Sequence, residues 1–240
     1  MSPGLGLAGP VGFDLDLTLI DSRAAILAAW AEVARETGTR IDLDSVTRRL
    51  GIKLEDEAAY WFPPGQRDAA ADIYRRHYLR LGPGLTTPLP GAGEALAAVR
   101  AAGERAIIIT AKHSVSVGPS LIAAGLAADD LYTHVYGPEK AAVLSRLGAA
   151  VYVGDAPADM GAAAAAGACA VGVTTGSFGA AELVAAGAEV VLESLLEFPS
   201  WYASARRALP VRLTQPMAGR LPPGRPCPPW ARVIMGLVSS

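Results

Sequence analysis

The chain has 240 residues, 51% of them apolar and 18% charged, and a formal net charge of −2. That length suits one large domain or a core with an insertion, and so much apolar content excludes a chain disordered throughout. No run of about eighteen apolar residues occurs, so no membrane span is expected.

The opening stretch, MSPGLGLAGPVGFD, has no basic leader region. No signal peptide is expected, and the cytoplasm is the expected compartment. A short apolar run then ends in GFDLDLTLIDS, which holds Asp14 and Asp16 two positions apart. Strand side chains repeat every two residues, so both carboxylates can point the same way. At about 5 Å they repel by roughly 3 kcal/mol at an effective dielectric near 20. A fold keeps such a pair when a cation or a shared proton offsets the repulsion. Leu17 follows them in a tight turn, where a bulky residue takes a positive φ only at a cost.

From Ser22 to about Thr87 no strand stands out. Ser22 can cap a helix that carries Ile26, Leu27, Trp30, Val33 and Ala34 on one face and stops at Gly38. DSVTRRLG and DAAADIYRRHYLRLG read as further helices. Residues 22–87 are therefore expected to form an all-helical insertion, with FPPG and LGPGLTTPLPG as its turns and return hinge.

From about Pro88 strands and helices alternate. GAGEALAAVRAAG, PEKAAVLSRLG, PADMGAAAAAGA and SFGAAELVAAGA read as helices between RAIIIT, LYTHVYG, AAVYVGDA, CAVGVTTG and EVVLES. This alternation predicts an α/β fold with a doubly wound, mostly parallel sheet over residues 1–21 and 88–200. Ligands in such sheets bind at the carboxyl ends of the strands. Asp155 follows one buried strand, and Asp159 comes one helical turn later. Together with Asp14 and Asp16 they make a hard-oxygen site of the kind Mg²⁺ prefers. Thr110 closes AIIIT, and Lys140 opens a helix where its charge opposes the dipole. Only three of the 21 basic residues are lysine, namely Lys53, Lys112 and Lys140. A compact ammonium is expected to matter where it is kept.

Residues 201–240 hold six arginines, seven prolines and no acid, which predicts a disordered or loosely docked tail. The first 200 residues then carry 15 basic against 23 acidic groups, which argues against a nucleic-acid-binding face. Cys169 and Cys227 are expected to form neither a metal site nor a disulfide, which fits a reducing cytoplasm.

Taken together, these pieces resemble one family. A strand ending DxDxT, a helical insertion, a strand ending in Thr, a lysine, and a strand ending GDxxxD resemble the haloacid dehalogenase-like hydrolase superfamily. The likeness covers about Val11 to Pro199. TPLPGAGEALAAVRAAG and the stretch from Ala165 to Phe198 are similar to its phosphoglycolate phosphatase-like branch. The resemblance implies a Rossmann-like core under a small α-helical cap, and a Mg²⁺-dependent phosphatase of small metabolite esters such as 2-phosphoglycolate. It implies Asp14 as nucleophile and metal ligand, and Asp16 as general acid and base with its backbone carbonyl on the metal. It also implies Thr110 and Lys140 on the phosphoryl group, and Asp155 and Asp159 on the metal. Ala111 takes a substrate-binding position where relatives often have Asn or Gly. Arg49 and Lys53, near Gly51 in the cap, are expected to meet a second anionic group of the substrate. A sugar-phosphate mutase would use the same residues, and a binding protein on such a core is the alternative of another class. No membrane partner is expected.

Overall fold

The structure is a computed structural model and describes residues 7–207. Six short runs of branched and small residues form one parallel sheet: β1 (Val11–Phe13), β4 (Ala106–Ile109), β5 (Asp130–Tyr132), β6 (Val151–Gly154), β7 (Cys169–Val173) and β8 (Val190–Leu192). Their order is β5-β4-β1-β6-β7-β8. The chain builds outward from β1 in one direction and then returns to build in the other. The reversal lies beside β1, where open parallel sheets place their ligand crevice.

Both faces of the sheet are covered, so its strands are apolar on both sides. Ala106 and Ile108 pack with α5 (Ala92–Ala101), α6 (Ser114–Ala124) and α10 (Phe198–Arg207). Ile107 and Ile109 pack on the other side with α7 (Pro138–Leu147), α8 (Pro157–Ala166) and α9 (Ala180–Ala185).

Seven positions past the end of β1, the chain enters a helical insertion through a small ribbon. In it β2 (Ile20–Asp21) pairs antiparallel with β3 (Thr87–Pro88). Between these strands lie α1 (Arg23–Thr37), α2 (Leu43–Arg48), α3 (Leu54–Trp61) and α4 (Arg67–Leu81). Trp30, Val33, Val46, Ala58, Phe62 and Ala70 form a separate small core there. Its helices bury the 3.6-period face read from the sequence. Among the described residues no helix is long and apolar enough to cross a membrane.

Two expectations change. The sheet-bearing part does not stop at residue 200, because α10 runs to Arg207 and buries Trp201, Tyr202 and Ala205. With Phe198, these sit at helical spacing, and the Phe198 ring meets Phe13 at 5.4 Å. The Pro-rich stretch from 208 on lies outside the described residues. Ser22 stands at the N-cap of α1 but makes no side-chain capping bond. Its hydroxyl donates instead to Asp16, at 2.5 Å.

Candidate active site

Three strands end side by side at the crevice. Asp14 follows β1, Thr110 follows β4 and Asp155 follows β6, and all three side chains are buried. Lys140 and Asp159 reach the same point from the first turns of α7 and α8. Lys140 Nζ donates to Asp14 Oδ1 and to Asp159 Oδ1, each at 2.7 Å. Asp14, Asp155 and Asp159 each offer one carboxylate oxygen, and these oxygens lie within 4.8 Å of one another.

The surroundings hold this cluster in place. Thr18 donates to Asp155 Oδ1 at 3.1 Å, and the Ala156 N–H donates to Asp159 Oδ2 at 3.2 Å. The Tyr152 hydroxyl donates to the Ile109 carbonyl and stands 3.3 Å from Asp159 Oδ1. Two glycines let the chain approach the acids. A Cβ on Gly176 would lie 1.9 Å from Asp155 Oδ2, and one on Gly154 would lie 2.4 Å from the Asp159 Cβ. Leu17, which turns the chain after Asp16, takes φ 63° and is buried. The expected conflict at that turn is therefore present, and the apolar contacts of the side chain offset it.

One ammonium facing three carboxylates leaves the cluster two charges short of neutrality. Burial, offset in part by Lys140 and reinforced by Asp159, pushes the Asp14 carboxyl up to about 7. Burial, then Asp14 and Asp159, push Asp155 well above the usual carboxylate range. Burial alone would lower the Lys140 ammonium, but Asp14 and Asp159 outweigh it and hold it charged. Buried, oxygen-only and deficient in positive charge, the cluster fits a small divalent cation such as Mg²⁺.

Asp16 does not join the cluster through its side chain. The two-residue strand period ends at Phe13, and the turn that returns Leu19 and Ile20 amides to the Leu15 carbonyl redirects the chain. The Asp16 carboxylate accepts from Lys112 Nζ at 2.7 Å and from Ser22. Of the four carboxylates read together from the sequence, the structure brings three into one cluster, and the Asp16 side chain is held apart from them.

Lys112 is a residue the sequence reading left without a role. It is 7% exposed at the side chain, bonded to Asp16 and placed 4.3 Å above the Tyr78 ring. Burial would lower its ammonium, but Asp16 outweighs this and raises it. The scarcity of lysine was its signal. All three lysines prove to be ion-paired at or beside the crevice.

An open cleft lies between the helical insertion and the sheet, about 800 Å³ with the solvent at its mouth counted in. Asp14, Asp16, Thr110 and Ala111 line it on the sheet side. Arg49 lines it from the other side but is bonded to Glu57 and Ser45 and stacked 3.7 Å from the Tyr60 ring centroid. Lys53 is not among the lining residues, and pairs at 2.8 Å with Glu139 of α7. His113 lines the cleft and caps α6, accepting from the Val115 N–H. His77, buried in the insertion, meets Glu36.

Comparison with known proteins gives four matches. A family model described as haloacid dehalogenase-like hydrolase matches residues 11–164. A curated protein of Dickeya dadantii named Probable phosphatase IndB is 30% identical, over 77% of this chain and 89% of its own. A solved hydrolase from Pseudomonas syringae is 25% identical with a TM-score of 0.69, over 82% of this chain and 98% of its own. A structure described as a predicted phosphatase from Clostridium acetobutylicum has a TM-score of 0.73 at 23% identity. It covers 83% of this chain and 100% of its own, and shows the likeness of fold.

Proposed function

Because the chain belongs to the haloacid dehalogenase-like hydrolase family and is a hydrolase of phosphatase type, we propose that it hydrolyses phosphate monoesters of small metabolites through an aspartyl-phosphate on Asp14. The observation that carries this reading is the buried Asp14 carboxylate, held 2.7 Å from Lys140 at the carboxyl end of the central strand.

Asp14 attacks phosphorus while the bond from phosphorus to the leaving oxygen breaks. Asp16, which lines the cleft with Asp14, gives that oxygen its proton. It then takes a proton from water, which attacks the aspartyl-phosphate and frees both phosphate and Asp14. Lys112 keeps the Asp16 carboxylate in one place between these steps. Thr110 and Lys140 face the charge that spreads over the phosphoryl oxygens. Asp14, Asp155, Asp159 and the Asp16 backbone carbonyl would hold Mg²⁺, which would neutralise the clash between carboxylate nucleophile and phosphate.

Phosphate release from a panel of monoesters, with Mg²⁺ or with EDTA, tests this reading. Release should need Mg²⁺ and fall by about 10⁴ or more in Asp14→Asn. Equal release by that variant, or in EDTA, would contradict it.

A further inference from the structure

Resting on the phosphatase reading, we infer that the leaving group of the substrate is an uncharged alcohol with an apolar, ring-sized body, rather than one bearing a carboxylate or a second phosphate. The cleft has two unlike sides. Its floor holds the reacting groups Asp14, Asp16 and Thr110. Its wall comes from four helices and the turn between two of them, and is built from Ile26, Trp30, Val46, Leu54 and Tyr74, with Ile52 at the turn. Tyr74, half-buried, presents its ring there and packs at 5.0 Å on Trp30, which is almost wholly buried behind it.

Charge complementarity points the same way. Three permanent cations line the cleft, and each has a carboxylate of its own. Arg49 is paired with Glu57, Arg75 with Glu55 and Asp72, and Lys112 with Asp16. Burial and the neighbouring Arg75 lower the His113 imidazole below its ordinary value, so it is neutral at pH 7. Lys53 is neutralised by Glu139, away from the lining. Glu55 and Glu57 themselves line the cleft. An anionic leaving group would therefore meet ion pairs already closed on themselves and no unpaired permanent cation, at a desolvation cost nothing repays. An apolar ring would instead bury its surface against aromatic and branched side chains.

Benzyl phosphate and 2-phosphoglycolate form a matched test, since a phenyl ring replaces a carboxylate on the same phosphorylated methylene. With Mg²⁺, kcat/KM for benzyl phosphate should exceed that for 2-phosphoglycolate by about tenfold or more. The non-hydrolysing Asp14→Asn variant, titrated with each ester by calorimetry, should show the same preference in Kd. Ile52 lies half-buried on the turn between α2 and α3, so Ile52→Lys adds an unpaired cation to the wall without opening a core. It should shift the ratio toward 2-phosphoglycolate. Equal or better use of 2-phosphoglycolate by the parent, in turnover and in binding, would overturn the inference and leave the phosphatase reading standing. No turnover of either ester, with benzyl phosphate still bound about tenfold more tightly, would count against the phosphatase reading and leave only the cleft's preference for an apolar ring standing.

Discussion

Replacing Lys140 by methionine keeps most of its volume and removes the one ammonium that faces the acidic cluster. Each of its two contacts, at 2.7 Å, is worth roughly 6 kcal/mol of gross attraction at an effective dielectric of 20. Much of that offsets the cost of bringing the ammonium out of water. Removing one partner of such a buried group leaves the others uncompensated, which costs about 3–5 kcal/mol. In EDTA, Lys140→Met should therefore unfold at lower denaturant, with a midpoint temperature lower by about 10 °C at a few degrees per kcal/mol. Saturating Mg²⁺ should recover more stability in the variant than in the parent, since the cluster then carries one more unbalanced negative charge. Phosphate release with Mg²⁺ should fall by about 10²–10³ in kcat. Denaturant titrations with and without Mg²⁺ check the first two statements together. A variant within about 1 kcal/mol of the parent in EDTA would refute the reasoning, because Lys140 would then compensate nothing.

Two further predictions concern the same crevice. Because the Asp14 carboxyl is raised from 3.8 to about 7 in the folded protein, the folded state binds a proton there that the unfolded state has lost. In EDTA this group should lower stability as pH rises from about 4 to about 7, by roughly 4 kcal/mol in all. The gain in midpoint temperature on adding Mg²⁺ should grow over the same window, and a gain independent of pH would contradict this. At Leu17, φ 63° favours glycine while the buried side chain favours leucine. Leu17→Gly loses packing but relieves about 1 kcal/mol of backbone strain, whereas Leu17→Ala loses packing and keeps the strain. The glycine variant should be the more stable of the two by about 1 kcal/mol in denaturant unfolding, and the reverse order would remove the strain argument.

The catalytic end of the sheet was legible because each acid or hydroxyl there ends a short apolar run. Asp14, Thr110 and Asp155 stand where a strand must stop, and strand ends in a parallel sheet meet on one side. The turn at Leu17 was legible for a similarly local reason, since one bulky residue stood where the backbone needs a positive φ. What escaped the sequence depends on contacts made across the chain. Asp16 was extrapolated along a strand that had already ended, and its partners Lys112 and Ser22 are brought in by the turn itself. Arg49 and Lys53 were visible as cations, but not their neutralisation by Glu57, eight residues away, and Glu139, 86 residues away. Helix α10 was merged with the Pro-rich stretch behind it, although Phe198, Trp201, Tyr202 and Ala205 already carry the helical period of a buried face.

The most direct test of the central claim looks for the phosphoryl group on the chain itself. The protein is mixed with Mg²⁺ and an excess of a hydrolysed monoester, quenched in acid within milliseconds, and digested for mass spectrometry. The account predicts one added phosphoryl group on the peptide containing Asp14, labile to hydroxylamine and absent in Asp14→Asn. Steady turnover of the ester with no phosphorylated Asp14 at any quench time, or with the group on another residue, would contradict it.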